Sequence, residues 1–410
     1  MTDDLGARAA EMLAEAAAIS EAGSGVTRLP FTGEHRRAND LVAGWMREAG
    51  LEVRRDAAGT LIGRRLGTSP GAGTFLMGSH QDSVRGGGAY DGIMGVLLPI
   101  LALERLGDVA LPFDVEVLAF ADEEGVRFPT ALIGPRALAG TIDLSVLDMQ
   151  DRSGIHLREA LSGFGDPDAL GSIARDPSTV LGFLETHIEQ GPLLEAEDHP
   201  VGIVTAIAGI ERHAVRIVGR AAHAGTTPMG LRQDALCAAA ELVTGVERIC
   251  RETPEAVGTI GHLDIAPNVV NAVPAEASAT VELRSSDDDV RTNVRVQVEA
   301  LAREAAERRG CTLAMERTYQ QPARACDPGL RRELERAVTA AGLTPFSLMS
   351  GATHDASAMA DLCPVAMLFV RCREGISHHP DEFAAPEDMG QAIDVLYHFL
   401  RARAGVGATA

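Results

Sequence analysis

Four short polar stretches carry imidazole and carboxylate groups directly after apolar runs. The first is Gly78-Ser79-His80-Gln81-Asp82, followed closely by Gly86-Gly87-Gly88-Ala89-Tyr90-Asp91-Gly92. The second, Ala121-Asp122-Glu123-Glu124-Gly125, follows VEVLAF and sets three carboxylates in succession. The third is Glu185-Thr186-His187-Ile188-Glu189-Gln190-Gly191-Pro192, in which extended backbone would put His187 and Glu189 on one face. The fourth, Ser377-His378-His379-Pro380-Asp381-Glu382, follows VAMLFVRC. Each has an ordinary alternative: a helix N-cap for Asp91, a solvated turn for the acidic triplet, a core or surface role for a lone histidine. Recurrence of His, Asp and Glu at the ends of four successive apolar runs outweighs them.

Imidazole and carboxylate without thiolate suit Zn²⁺, Mn²⁺, Co²⁺ or Ni²⁺ at a hydrolytic centre. Two ions about 3.5–4 Å apart require a bridging carboxylate, a bridging water and a base to deprotonate it. Consecutive carboxylates at the exit of a buried strand repel one another unless cations compensate. On extended backbone Glu123 and Glu124 point to opposite sides, so one of them binds metal while the other stands off as a base.

The elements that must position these groups alternate. Residues 34–49 have helical spacing, 51–67 form a hairpin turning near Ala58-Gly59, 74–78 form a short strand and 91–106 a helix. Strands follow at 115–121 and 181–187, implying a mainly parallel, doubly wound mixed α/β sheet with the polar clusters at its carboxyl edge. From Glu211 the series becomes strand 211–219, helix 233–252, strands 257–264 and 275–284, helix 288–309 and strand 311–319, a ferredoxin-like βαββαβ unit. After Gln321 the α/β alternation resumes with helix 328–341, strand 345–349, helix 354–362, strand 365–371 and helix 386–403. One large domain (1–209 and 321–410) is therefore interrupted by a smaller insert (210–320), with linkers near 209 and 321 that make a hinge. The tail 404–410 is expected to fray.

Composition narrows the chemistry. The 410 residues include 37 basic and 58 acidic side chains, a net charge of −21, which disfavours general nucleic-acid binding and docking on anionic membrane. All the basic residues are arginine. The absence of lysine removes Schiff-base chemistry, a Walker A loop and a carbamylated-lysine metal bridge. The triple glycine lacks the GxGxxG order of a phosphate cradle. The six cysteines lie far apart with no CxxC pair and read as small buried residues of a reducing compartment. With no secretory signal and no long apolar run, a cytoplasmic protein is expected.

GSHQDSVRGGGAYDG, ADEEGVRF, ETHIEQGP, GRAAHAGTTPMGLRQDAL, SGATHDA and ISHHP occur in the order seen in the amidase/hydantoinase/carbamoylase branch of the M20 metallopeptidase clan, which the chain resembles from about residue 30 to 400. The resemblance implies that His80, Asp91 and His187 hold one ion and Asp91, Glu124 and His378 the other, with Asp91 bridging. It implies that Glu123 is the general base and Asp82 the carboxylate orienting His80. It further implies that Gln190 contacts the substrate's amide or ureido group, that His223 stabilises charge on the attacked carbonyl oxygen, and that Arg284 grips the substrate carboxylate. His223 and Asn271 would enter from the other subunit of a homodimer formed through the insert.

The activity so implied is hydrolysis of the linear C–N bond of an N-carbamoyl-L-amino acid or related ureido acid by a metal-bridging water, with two divalent ions per subunit. Allantoate amidohydrolase and β-ureidopropionase are the near alternatives. An aminoacylase or dipeptidase of the clan, and a non-catalytic metal-binding protein of the same fold, are the distant ones.

Overall fold

The computed structural model describes residues 2–405, so Met1 and stretch 406–410, most of the tail expected to fray, lie outside the described residues. The chain divides into two compact units, Met1–Thr205 with Cys326–Leu348 and Thr353–Ala410, and Ala206–Ala325 with Met349–Ala352. The sequence breaks at 209/210 and 320/321 thus fall four to five residues inside the second unit.

In the first unit a mixed sheet runs in the order Glu52–Arg55, Leu61–Arg65, Asp114–Phe120, Thr74–His80, Val180–Ile188, Val365–Val370, with Val201–Ile207 following. The central four strands are mutually parallel, whereas the flanking pairs are antiparallel. Parallel strands bury both faces and so need continuous apolar sequence. DVEVLAF and VAMLFV meet that need and are buried along nearly their whole length. Helices Thr2–Ala17, Ile93–Leu106 and Pro386–Arg403 share one core, in which Leu97, Leu101 and Phe399 pack with Phe75 and Met77 of the sheet. A second cluster around Phe31, Ala121, Phe128 and Leu161 supports the acidic turn.

Because the four central strands are parallel, their carboxyl ends emerge at one edge. His80 is the last residue of its strand, His187 the penultimate residue of its own, and Asp122 follows two residues after Phe120. Strand Val201–Ile207, which the sequence reading does not assign, pairs antiparallel with Val365–Val370. Its partner lies more than 150 positions away in the chain, so local patterning carries little trace of the pairing.

The second unit is a four-stranded antiparallel sheet in the order Thr312–Gln321, Gly209–Val218, Glu276–Ser285, Ala256–Ala266. Helices Ala235–Arg251 and Asp288–Glu307 pack on it around Val215, Leu242, Val281, Leu283 and Val298. A two-stranded ribbon pairs Ala222–His223 with Ala272–Val273. The cysteine expectation needs correcting: all six are free, but Cys237 is exposed and Cys250 half-buried, each on the helix Ala235–Arg251. Among the described residues no helix is long and apolar enough to cross a membrane.

Candidate metal centre

Asp91 is the point on which the site converges. The N-cap alternative fails for it, because Gly92 occupies the cap position of helix Ile93–Leu106 and no side chain caps that helix. Gly92 has φ of 66°, and a Cβ there would strike the His80 ring, so both backbone conformation and space require glycine. Asp91 is thereby turned toward three imidazoles. Its Oδ1 lies 3.0 Å from His187 Nε2 and 3.7 Å from His80 Nε2, and its Oδ2 lies 3.1 Å from His378 Nε2. One potential ligand atom from each of His80, Asp91 and His187 falls within 4.8 Å of the others, as does one from each of Asp91, Glu124 and His378.

The tautomers follow from the backbone. His80 Nδ1 lies 3.0 Å from the Asp82 carbonyl oxygen and His187 Nδ1 2.9 Å from that of Ile188. A carbonyl only accepts, so both Nδ1 atoms carry hydrogen and both Nε2 atoms face the Asp91 carboxylate. A bare Nε2 lone pair aimed at an anionic oxygen is repulsive unless a cation or proton lies between them. Although burial opposes it, hydrogen bonding to Asp91 pushes His187 up to about 9, whereas burial lowers His80 below its ordinary value. Burial would raise Asp91, but hydrogen bonds from His187 and His378 outweigh it and hold the carboxyl well below its usual range.

The acidic turn supplies the complementary charge. Asp122 adopts φ of 66°, so residues 121–125 form a bend, and the extended backbone expected for Glu123 and Glu124 is not present. The Asp82 carboxylate pins this bend by accepting from the backbone N–H groups of Glu123 (3.0 Å) and Glu124 (3.2 Å). That also revises the expected role of Asp82: its carbonyl, not its carboxylate, makes the close contact to His80, the nearer carboxylate oxygen standing 3.7 Å away. Burial and then Glu124, Asp355, Asp82 and Asp91 push Glu123 well above the ordinary carboxyl range. Burial, Asp91 and Asp82 do the same to Glu124, whose Oε1 has no hydrogen-bond partner among the described residues. Crowded buried carboxylates, an unpartnered carboxylate oxygen and convergent Nε2 atoms fit hard-to-borderline divalent cations.

Gln190, with φ of 57°, donates from Nε2 to Asp91 Oδ2 at 3.2 Å and to Ser377 Oγ at 3.1 Å, while its Oε1 is buried without a hydrogen-bond partner among the described residues. Glu189 is not brought to the cluster; its carboxylate accepts from the N–H groups of Leu193 and Leu194. His223, Asn271 and Arg284 belong to the second unit. There His223 is exposed and its Nδ1 accepts from Gly225, the Asn271 carbonyl accepts from Ala224, and Arg284 pairs with Glu282 while donating to the Gly351 carbonyl.

Three buried groups escaped the sequence reading. Glu185 accepts from Ser79 Oγ (2.7 Å) and from the Ala356 N–H (2.8 Å). The His354 ring stands 4.6 Å from that of His187, and burial followed by His187 keeps it neutral to well below its ordinary value. Asp355 lies beside it, its carboxyl raised well above normal by burial and Glu185. The segment SGATHDA was the available signal, but nothing in its own spacing points at a residue over 160 positions earlier.

The family model described as peptidase family M20/M25/M40 matches residues 75–402. The chain is 45% identical over 377 residues to an N-carbamoyl-L-amino acid amidohydrolase of Geobacillus stearothermophilus, covering 91% of this chain and 92% of that protein. It is 39% identical over 403 residues to a probable allantoate deiminase of Oryza sativa subsp. japonica, covering 89% and 82% respectively. Among solved structures, an amidase of the hydantoinase/carbamoylase family from Burkholderia multivorans superposes with a TM-score of 0.92 at 34% identity, covering 97% of this chain and 98% of that one. On that coverage the chain belongs to the M20/M25/M40 peptidase family, within its hydantoinase/carbamoylase amidases.

Proposed function

We propose that this chain is a metal-dependent amidohydrolase that cleaves the linear C–N bond of an N-carbamoyl-L-amino acid. The observation that carries the reading is the single Asp91 carboxylate facing the Nε2 atoms of His80, His187 and His378, with Glu124 beside it. The likeness to the named amidohydrolases over nine-tenths of the chain supports the substrate class. His80, Asp91 and His187 would hold one divalent ion, and Asp91, Glu124 and His378 the other. When bound, the ions supply activation of water and polarisation of the carbamoyl carbonyl.

The chain's own residues do the rest. Glu123, buried among other carboxylates, has the raised proton affinity of a general base. It takes the proton of the attacking water at its carboxylate and returns it to the departing nitrogen. Gln190 orients the ureido group through its unpartnered Oε1, which suits an N–H donor. From the insert, Arg284 grips the substrate carboxylate and His223 and Asn271 reach the site of a partner subunit. The insert thereby serves as lid and dimerisation surface. For an N-carbamoyl amino acid the products are the free amino acid, carbon dioxide and ammonia.

Allantoate is the second reading, favoured by the rice relative. Ammonia release from metal-reconstituted protein on N-carbamoyl-L-amino acids, allantoate, 3-ureidopropionate and N-acetyl amino acids decides between them. Highest kcat/KM on an N-carbamoyl-L-amino acid is expected. Dominant turnover of allantoate favours the second reading, and dominant turnover of N-acetyl substrates contradicts both.

A further inference from the structure

The loop that carries His378 is tied to the loop that carries Asp91 by one carboxylate. Glu382 is buried, and its Oε1 accepts from the backbone N–H groups of Tyr90 and Asp91, each at 2.9 Å. Its Oε2 accepts from Ser377 Oγ at 3.1 Å, and the same hydroxyl lies 3.3 Å from Asp91 Oδ2 and accepts from Gln190 Nε2. Next in each loop, the Tyr90 and Phe383 rings meet edge to face at 5.9 Å. The two loops are separated by nearly three hundred residues in the chain, so their spacing depends on such contacts.

The last residue of the triple glycine is explained by the same contact. A Cβ at Gly88 would overlap the Glu382 carboxyl, so glycine at that position is what lets the side chain reach the Asp91 backbone. In the motif that superficially suggests a phosphate cradle, Gly88 clears space for a carboxylate of the protein itself.

We infer that Glu382 is a positioning residue of the dinuclear centre, which fixes the distance between Asp91 and His378 and thereby sets the affinity for the ion those two residues share. The inference rests on the metal reading above. Glu382 touches neither substrate nor the reacting atoms in this account; it acts through the backbone of Asp91 and through Ser377. Its function is that of an acceptor. A glutamine retains an oxygen that accepts both N–H groups and an amide that donates to Ser377, whereas alanine leaves the two N–H groups, that of Asp91 buried, without their acceptor.

The test is Co²⁺ titration of the metal-stripped full-length protein, followed by visible absorption and by metal content after dialysis, for wild type, Glu382→Ala, Glu382→Gln and Gly88→Ala. Wild type is expected to take up two ions. Glu382→Ala is expected to weaken one of them by about 10- to 100-fold, the usual cost of losing a group that orients a ligand. Glu382→Gln restores affinity to near wild type. Gly88→Ala displaces the carboxylate and weakens the same ion, yet adds little in the Glu382→Ala background, because the two changes remove one contact. Gly88→Ala supplies the comparison if Glu382→Ala does not fold.

Two unchanged ions in both Glu382→Ala and Gly88→Ala overturn the inference and leave the metal reading intact. Equal losses in Glu382→Ala and Glu382→Gln also overturn it, since charge rather than geometry would then be the cause. A wild-type chain that takes up no divalent ion overturns the metal reading, and this inference with it.

Discussion

Replacing Glu123 by glutamine separates catalysis from folding, because the two depend on the carboxylate in opposite ways. The side chain is 8% exposed, and its backbone N–H donates to Asp82 Oδ1 at 3.0 Å. Glutamine has the same size and leaves that hydrogen bond in place, so no cavity opens. Its neighbours Glu124, Asp355, Asp82 and Asp91 are all acidic and all disfavour its charge. Removing the charge relieves repulsion, so the metal-free chain is expected to melt no lower than wild type.

Turnover moves the other way. A positioned general base contributes about 10²- to 10⁴-fold, or roughly 2.7–5.5 kcal/mol at about 1.36 kcal/mol per decade. Steady-state ammonia release should therefore fall by at least about 10²-fold in kcat, while metal content stays near wild type. The measurements are kcat from ammonia release, metal by elemental analysis, and Tm of the stripped protein. Activity within tenfold of wild type refutes the assignment of Glu123 as base. Joint loss of metal and activity means that Glu123 is a ligand and that its role and that of Glu124 must be exchanged.

Two further outcomes follow from other parts of the molecule. Arg284→Ala should raise KM for carboxylate-bearing substrates by about 10-fold or more with a smaller change in kcat, the signature of lost ground-state binding; an unchanged KM places the anchor elsewhere. His35 is fully buried, its Nδ1 accepts from the Phe31 N–H at 2.8 Å, and burial followed by nearby arginines lowers it from 6.5 to about 3. It is thus neutral when folded and protonates more readily when unfolded, so stability is lost as pH falls below about 6.5, by up to about 1.4 kcal/mol per unit, and levels off near 3. Denaturant midpoints between pH 7 and 4 should fall less steeply in His35→Gln than in wild type; equal slopes contradict this.

How much of the site was legible in sequence depends on the range of the interactions. His80, Asp91, His187 and His378 stand out because each lies at or beyond the end of a buried strand or just ahead of a helix, positions where apolar patterning ends abruptly. The α/β alternation around a parallel centre is legible for the same reason. What local patterning does not carry is contact between distant segments: Asp82 holding the acidic turn, Glu185 meeting Ser79 and Ala356, Glu382 reaching into Gly88, and strand Val201–Ile207 joining Val365–Val370. Left-handed backbone at Asp122, Gln190 and His378 is equally hidden, since none is glycine, the residue that adopts it freely. These residues are held in sparsely populated conformations at the site, where surrounding structure over-determines them.

The central claim is that one aspartate is shared by two divalent cations. Anomalous diffraction from crystals of the Zn²⁺- or Mn²⁺-loaded protein, collected on either side of the metal absorption edge, measures this directly. The account predicts two peaks about 3.5–4 Å apart on either side of the Asp91 carboxylate, one beside His80 and His187 and the other beside Glu124 and His378. A single peak, or a pair that Asp91 does not bridge, contradicts it.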